Sequence, residues 1–326
     1  MNRREFITLL TGTATAWPLA ARAQQPERVR RIGVLMNFEE DDPDTKERLA
    51  GFRHELERLG WSDGRNVRID YRFAPAGVQA PVFAKELLAL QPDVILAVST
   101  PITAALQRET RTVPVVFVGI TADPISSGFV ASLARPGGNL TGVVLFEPTV
   151  AGKWLAMLKE IAPRLARAAL VFNPKTAPYY DYYLRAGEAA ASSLAVEFVP
   201  LTIENAAADI ERAIEAFARV PNGGLVALPD STNDVHRDLL IGLAAKHRLP
   251  AVYSNRFYVA AGGLMCYSTD RVAQFRQVAA YIDRILRGAK PADLPVQMPT
   301  KYETVVNMRT VKALGRGLAC GRRRGD

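Results

Sequence analysis

Beyond a leading segment, hydrophobic and polar positions along the chain alternate between two rhythms. Short β-branched runs are followed by longer stretches whose apolar residues recur three and four apart. Arg31 to Asn37 (R-I-G-V-L-M-N) reads as a strand, and Asp44 to Leu59 as a helix with Leu49, Phe52, Leu56 and Leu59 on one face, ended by Gly60. Further strands are expected at Val67 to Phe73, Val94 to Thr100, Val113 to Ile120 and Leu140 to Phe146, with helices at Val82 to Leu90, Ile102 to Thr110 and Ile125 to Ala134. This is the strand-helix-strand rhythm of a parallel sheet.

The rhythm then restarts. Helix Ala151 to Ile161 leads to strand Ala168 to Asn173, helix Tyr179 to Ser193, strand Val196 to Leu201, helix Ala207 to Ala218, strand Gly224 to Pro229, helix Val235 to His247 and strand Ala251 to Ser254. A last long helix, Val272 to Arg287, and a final strand, Thr304 to Met308, follow. A terminal helix and strand that complete earlier sheets make the chain cross between lobes more than once, so the pattern predicts two interlocked α/β lobes with a cleft between them. The expected lobes are 27–147 plus 268–293 and 148–267 plus 294–326.

In open α/β sheets ligands lie beyond the carboxyl ends of the strands. Those ends here carry Asn37, Ser99 and Thr100, Thr121 to Asp123, Asn173, Asp230 to Thr232, and Tyr253 with Ser254. Each short polar one is equally the residue type of a helix N-cap, and it is their recurrence at strand after strand that points to a binding cleft. Tyr179, Tyr180, Tyr182 and Tyr183 form a concentrated aromatic feature, part core and part cleft wall. Pro101 opens a helix directly behind Ser99 and Thr100, a junction able to hold a small anion.

Composition narrows the function. The chain has 326 residues, 48% of them hydrophobic, enough for about two domains. The net charge of +8 gathers at the ends, at Arg3, Arg4 and Arg22 and at Arg316, Arg322, Arg323 and Arg324, leaving a nearly balanced body with no nucleic-acid-reading face. Met1 to Ala23, with its basic start, mild apolar middle and Ala21-Arg22-Ala23 ending, reads as an export signal of twin-arginine type, cleaved near Ala23. The remainder is expected to be periplasmic and to act as a monomer.

Chemistry has no evident agent. A hydrolase elbow (G-x-S-x-G), the zinc spacings and the phosphate-loop and dinucleotide signatures are all absent, and His54, His236 and His247 each fall in charged helical segments. Cys266 reads as a small buried residue, and Glu39-Glu40-Asp41-Asp42 as solvated surface. No catalytic residue, metal or cofactor is expected.

The sequence resembles the ABC-transporter substrate-binding proteins of the tryptophan/tyrosine type, from about Arg31 to Gly315. The resemblance is carried by L-G-W-S-D-G-R-N-V-R-I-D-Y-R, D-P-I-S-S-G-F-V-A-S-L-A-R-P-G-G-N-L-T-G, G-K-W-L-A-M-L-K-E-I-A-P, F-N-P-K-T-A-P-Y and L-A-A-K-H-R-L-P-A-V-Y. It implies the type I periplasmic-binding-protein fold, each lobe an open parallel sheet flanked by helices. It further implies capture of a small organic ligand, an aromatic or other amino acid or a related carboxylate, for delivery to a membrane permease driven by an ATPase subunit. On that resemblance Asn37, Ser99, Thr100, Thr121, Asp123, Asn173, Tyr179, Asp230, Ser231 and Tyr253 form the ligand set. Ser99 and Thr100 would take a carboxylate, Asp123 or Asp230 an ammonium, and Tyr179 or Tyr253 the side chain. After Gly315 the chain departs from the family's ending and reads R-G-L-A-C-G-R-R-R-G-D. The alternatives are an exported two-lobed enzyme and a periplasmic sensor subunit.

Overall fold

The first sheet is built from β1 (Arg30–Met36), β2 (Val67–Phe73), β3 (Val94–Val98), β4 (Val115–Ile120) and β5 (Leu140–Val144), in the order β2-β1-β3-β4-β5 and parallel throughout. β3 reads V-I-L-A-V and is buried at every position, as a parallel strand covered on both faces must be. On one face α1 (Pro43–Arg58) and α10 (Arg271–Leu286) set Phe52, Leu56, Phe275 and Ile282 against Val34 and Leu96. On the other, α2 (Ala80–Ala89) and α3 (Thr100–Glu109) bring Leu87, Ile102 and Leu106 to Ile95 and Phe117. The computed structural model describes residues 28–315 apart from 76–77, 146, 148, 205 and 300–301. The export signal, its cleavage near Ala23, the strand end at Phe146 and the divergent tail lie outside the described residues.

The second sheet runs β11-β10-β9-β8-β6-β7, comprising β6 (Arg167–Phe172), β7 (Glu197–Thr202), β8 (Gly223–Ala227), β9 (Ala251–Tyr253), β10 (Met265–Thr269) and β11 (Tyr302–Val306). Only the β10–β11 pair is antiparallel. α4 (Val150–Ile161) and α5 (Tyr180–Ala191) cover one face through Trp154, Leu158 and Tyr183. α6 (Ala207–Ala218) and α8 (Arg237–Lys246) cover the other through Ile210, Ile214 and Leu240. Three short helices, α7 (Ser231–Val235), α9 (Arg256–Ala260) and α11 (Met308–Ala313), complete the lobe.

Four features differ from the sequence reading. Ile125 to Ala134 is a series of turns: Asp123 accepts the Ser126 amide at 2.6 Å and Gly128 takes φ +69°, which breaks a helix before it can propagate. The expected helix Val235 to His247 is α8, starting at Arg237, and it is preceded by a separate short helix, α7, which Asp230 caps and which was not anticipated. Met265 to Thr269, which the sequence reading assigned to no element, is a full strand. α9 and α11 also went unanticipated.

The chain crosses between lobes three times, after β5, after β10 and before β11. The second and third crossings fall later than the expected 268 and 294. β10 stays paired with β9 and β11 in the second sheet, and the chain turns only at Asp270, the N-cap of α10. Leu294 and Val296 remain in the first lobe's clusters, and Gln297 bridges Val143 there. The Thr141 hydroxyl fixes this segment by donating to the Leu294 carbonyl at 2.6 Å. No helix among the described residues is long and apolar enough to cross a membrane.

Candidate functional site

Because both sheets are wound alike, the carboxyl ends of β1, β3 and β4 face those of β6 and β8 across the gap between lobes. A narrow inner chamber lies there, lined from the first lobe by Asn37, Phe38, Ser99, Thr100 and Thr121, with Arg271 from α10. The second lobe contributes Thr176, Tyr179, Asp230, Ser231 and Asp234. A wider outer chamber shares Asn37, Phe38, Ser231 and Asp234 with it and adds Arg48, Arg237 and Phe257.

Four polar atoms of inner-chamber residues are buried without a hydrogen-bond partner among the described residues: Asn37 Oδ1, Ser99 Oγ, Ser231 Oγ and Arg271 Nε. Protein interiors rarely leave such groups unsatisfied, and these converge from both lobes. Ser99 is also held at φ 93°, a conformation that L residues other than glycine seldom adopt.

Seven of the ten residues expected from the sequence line this chamber: Asn37, Ser99, Thr100, Thr121, Tyr179, Asp230 and Ser231. They do not all face it with free groups. The Thr100 hydroxyl accepts the amides of Thr121 at 3.1 Å and Ala122 at 3.4 Å, and so binds the end of β4 to the start of α3. Asp230 accepts the amides of Asn173 at 2.8 Å and Thr232 at 3.1 Å and the Thr176 hydroxyl at 2.5 Å. Burial nevertheless pushes its carboxyl up to about 6. The Tyr179 hydroxyl donates to the Pro229 carbonyl at 2.7 Å, presenting its ring to the chamber, and burial pushes that phenol far above its ordinary range.

The other three residues are elsewhere. Asn173 is 1% exposed beneath the site, its side chain donating to Thr232 Oγ1 and accepting the Lys175 amide. Asp123 stands outside the lining, turned to the Ser126 amide. Tyr253 is stacked on Tyr258 at 4.7 Å within the apolar cluster under α8, so β9 directs it away from the cleft. None of His54, His236 and His247 lines either chamber. Asp42, from the acidic run, caps α1 through the amides of Asp44 and Thr45 and meets Arg237 of the other lobe at 3.4 Å.

Sequence reasoning missed Arg48, Thr176, Asp234 and Arg271. Arg48 sits on α1, where an arginine reads as surface, yet it is 1% exposed, ion-paired with Asp44 and stacked over Phe38 at 4.7 Å. Its burial and the nearby Arg271 hold its guanidinium well below the usual arginine range. Arg271 follows β10 directly, so recognising Met265 to Thr269 as a strand would have placed it at a strand end. Asp234 lies four residues beyond Asp230 on α7 and accepts the Tyr258 hydroxyl at 2.9 Å. Burial raises its carboxyl despite the opposing field of Arg271.

Similarity to known proteins agrees with this architecture. A protein of known structure from Vibrio cholerae O1 biovar El Tor superposes with a TM-score of 0.81 at 26% identity, covering 89% of this chain and 96% of that one. A Streptococcus pneumoniae ABC domain solved in complex with L-Trp gives a TM-score of 0.81 at 22% identity, covering 89% and 95%. A tyrosine-binding protein of Clostridioides difficile (strain R20291) is 24% identical over 299 residues, 88% of this chain and 81% of that protein. The family model described as ABC transporter substrate binding protein matches residues 31–317, so the chain belongs to the ABC transporter substrate-binding protein family.

Proposed function

We propose that the protein captures an amino acid, in particular an aromatic one, or a closely related carboxylate between its lobes and delivers it to a membrane permease driven by an ATPase subunit. The carrying observation is the convergence of unpartnered buried polar atoms from both lobes on one chamber, with Ser99 Oγ at the start of a ten-residue helix. A helix start favours an anion, so Ser99 receives the ligand carboxylate there. Phe38 and Tyr179 supply aromatic wall for the side chain. The naming of one relative for tyrosine binding, and the L-Trp bound by a neighbour of like fold, support the aromatic class.

The role is holding rather than catalysis, a reading supported by the substrate-binding family match and by the relative named for tyrosine binding. The protein works as a periplasmic monomer after cleavage near Ala23. Mass spectrometry of the small molecule that co-purifies with the exported chain, followed by calorimetric titration with L-tyrosine and L-tryptophan, tests this. Saturable binding of either is expected. A co-purifying ligand without a carboxylate, or no heat with any amino acid, overturns it.

A further inference from the structure

The sequence reading leaves the ligand ammonium to Asp123 or Asp230, and neither is free to take it: Asp123 is outside the lining and Asp230 is bound on both oxygens. Two other charged groups do line the inner chamber, Asp234 and Arg271. They feel each other's field but are not joined as an ion pair. One Asp234 oxygen accepts the Tyr258 hydroxyl, while Arg271 Nε is buried without a hydrogen-bond partner among the described residues. Asp234 belongs to α7 of the second lobe, and Arg271 is the first residue of α10, which packs on the first lobe directly after the crossing at Asp270.

The geometry points to Asp234 and Arg271 as the ligand's charge-reading pair, one from each lobe, so that a zwitterion straps the lobes together with its ammonium on Asp234 and its carboxylate on Arg271. This rests on the amino-acid reading and deepens it. The site is partly buried, and although Asp234 also lies in the field of Arg48 and Arg237, Arg271 Nε keeps no hydrogen-bond partner among the described residues; a zwitterion meets both charges at once. Burial disfavours ionised Asp234, and an arriving ammonium offsets that penalty. A ligand with only one charge engages one lobe. It leaves the other charge without its partner and gives the lobes less reason to close.

The test compares L-tyrosine, tyramine and desaminotyrosine on the full mature chain. Wild type is expected to bind L-tyrosine about a hundredfold more tightly than either analogue. Asp234→Asn should remove most of the preference over desaminotyrosine and leave the preference over tyramine. Arg271→Gln should do the reverse, with Arg271→Lys restoring part of it. A thermal melt of each variant identifies loss of fold, in which case small-angle scattering of wild type decides: L-tyrosine should contract the particle and the analogues should not. Binding of L-tyrosine with unaltered ratios in both variants, or equal contraction by an analogue, overturns the pairing alone. If none of the three binds, the same series is run on the amino acid that does, L-tryptophan first; no binding of any amino acid overturns the amino-acid reading and this inference together.

Discussion

The Tyr183 hydroxyl, on α5 of the second lobe, donates to the backbone carbonyl of Thr121, at the end of β4 in the first, across 3.0 Å. Tyr183 is fully buried and stacked on Trp154 at 6.0 Å, so the ring is fixed and the hydrogen bond is available only while the lobes stand this close.

Tyr183→Phe keeps the ring and removes that lobe-to-lobe bond. A neutral hydrogen bond contributes about 0.5–1.5 kcal/mol net. Ligand affinity should therefore fall about two- to tenfold through a less favourable closed arrangement. Calorimetric titration checks this, and unchanged affinity would remove the bond from the closure mechanism.

Ser99 and Thr100 should separate in mutation. Ser99 Oγ has no partner among the described residues, whereas the Thr100 hydroxyl holds two backbone amides. Ser99→Ala is expected to weaken ligand binding about tenfold or more, the scale of a hydrogen bond to a charged group, with little change in melting. Thr100→Val should lower stability by about 1–3 kcal/mol, the scale for leaving buried donors unmatched. Titration beside thermal melts distinguishes them, and the reverse pattern would exchange their roles.

Asp230 gives stability a pH dependence. Its carboxyl is raised to about 6 in the fold, against about 3.9 for a free aspartate. Between those values the native state holds the proton more tightly than the unfolded chain does, so this group's contribution is full below about pH 4 and is lost as pH rises through about 6. The span corresponds to about 3 kcal/mol. Urea melts of ligand-free protein across this range should show the decline, and Asp230→Asn should flatten it. An unchanged slope in the variant would assign the effect to another group.

Gly142 in β5 sits where a Cβ would lie 2.0 Å from the Phe117 carbonyl oxygen of β4, beside the register shift between those strands. Its neighbour is backbone and cannot swing aside. Gly142→Ala should destabilise the protein by at least about 3 kcal/mol, the scale of severe overpacking. A melting temperature within a few degrees of wild type would contradict the contact.

The alternation of buried strands and amphipathic helices was legible in the sequence because local periodicity reports which faces are covered. β-branched runs such as V-I-L-A-V can serve little but a strand buried on both sides. The polar strand ends were legible for the same reason, and with them most of the cleft lining. Side-chain direction and partner were not. Tyr253 and Asp230 look alike in the sequence as strand-end residues, yet one is turned into an apolar cluster and the other is held by two amides and a hydroxyl. Arg48 lies on a segment read as a helix face, and Arg271 just ahead of the expected helix at Val272; nothing along the chain shows that the first is buried and that the second lines the cleft. Ile125 to Ala134 has helical periodicity, but an Asp123 turn and Gly128 at positive φ override it. Sequence thus determined which segments are strands and helices and where their polar ends fall, because those follow from neighbours along the chain. Tertiary structure alone decided which polar groups remain unpaired and face each other, since that depends on partners as distant as Asp234 and Arg271, brought together by a chain that crosses between lobes three times.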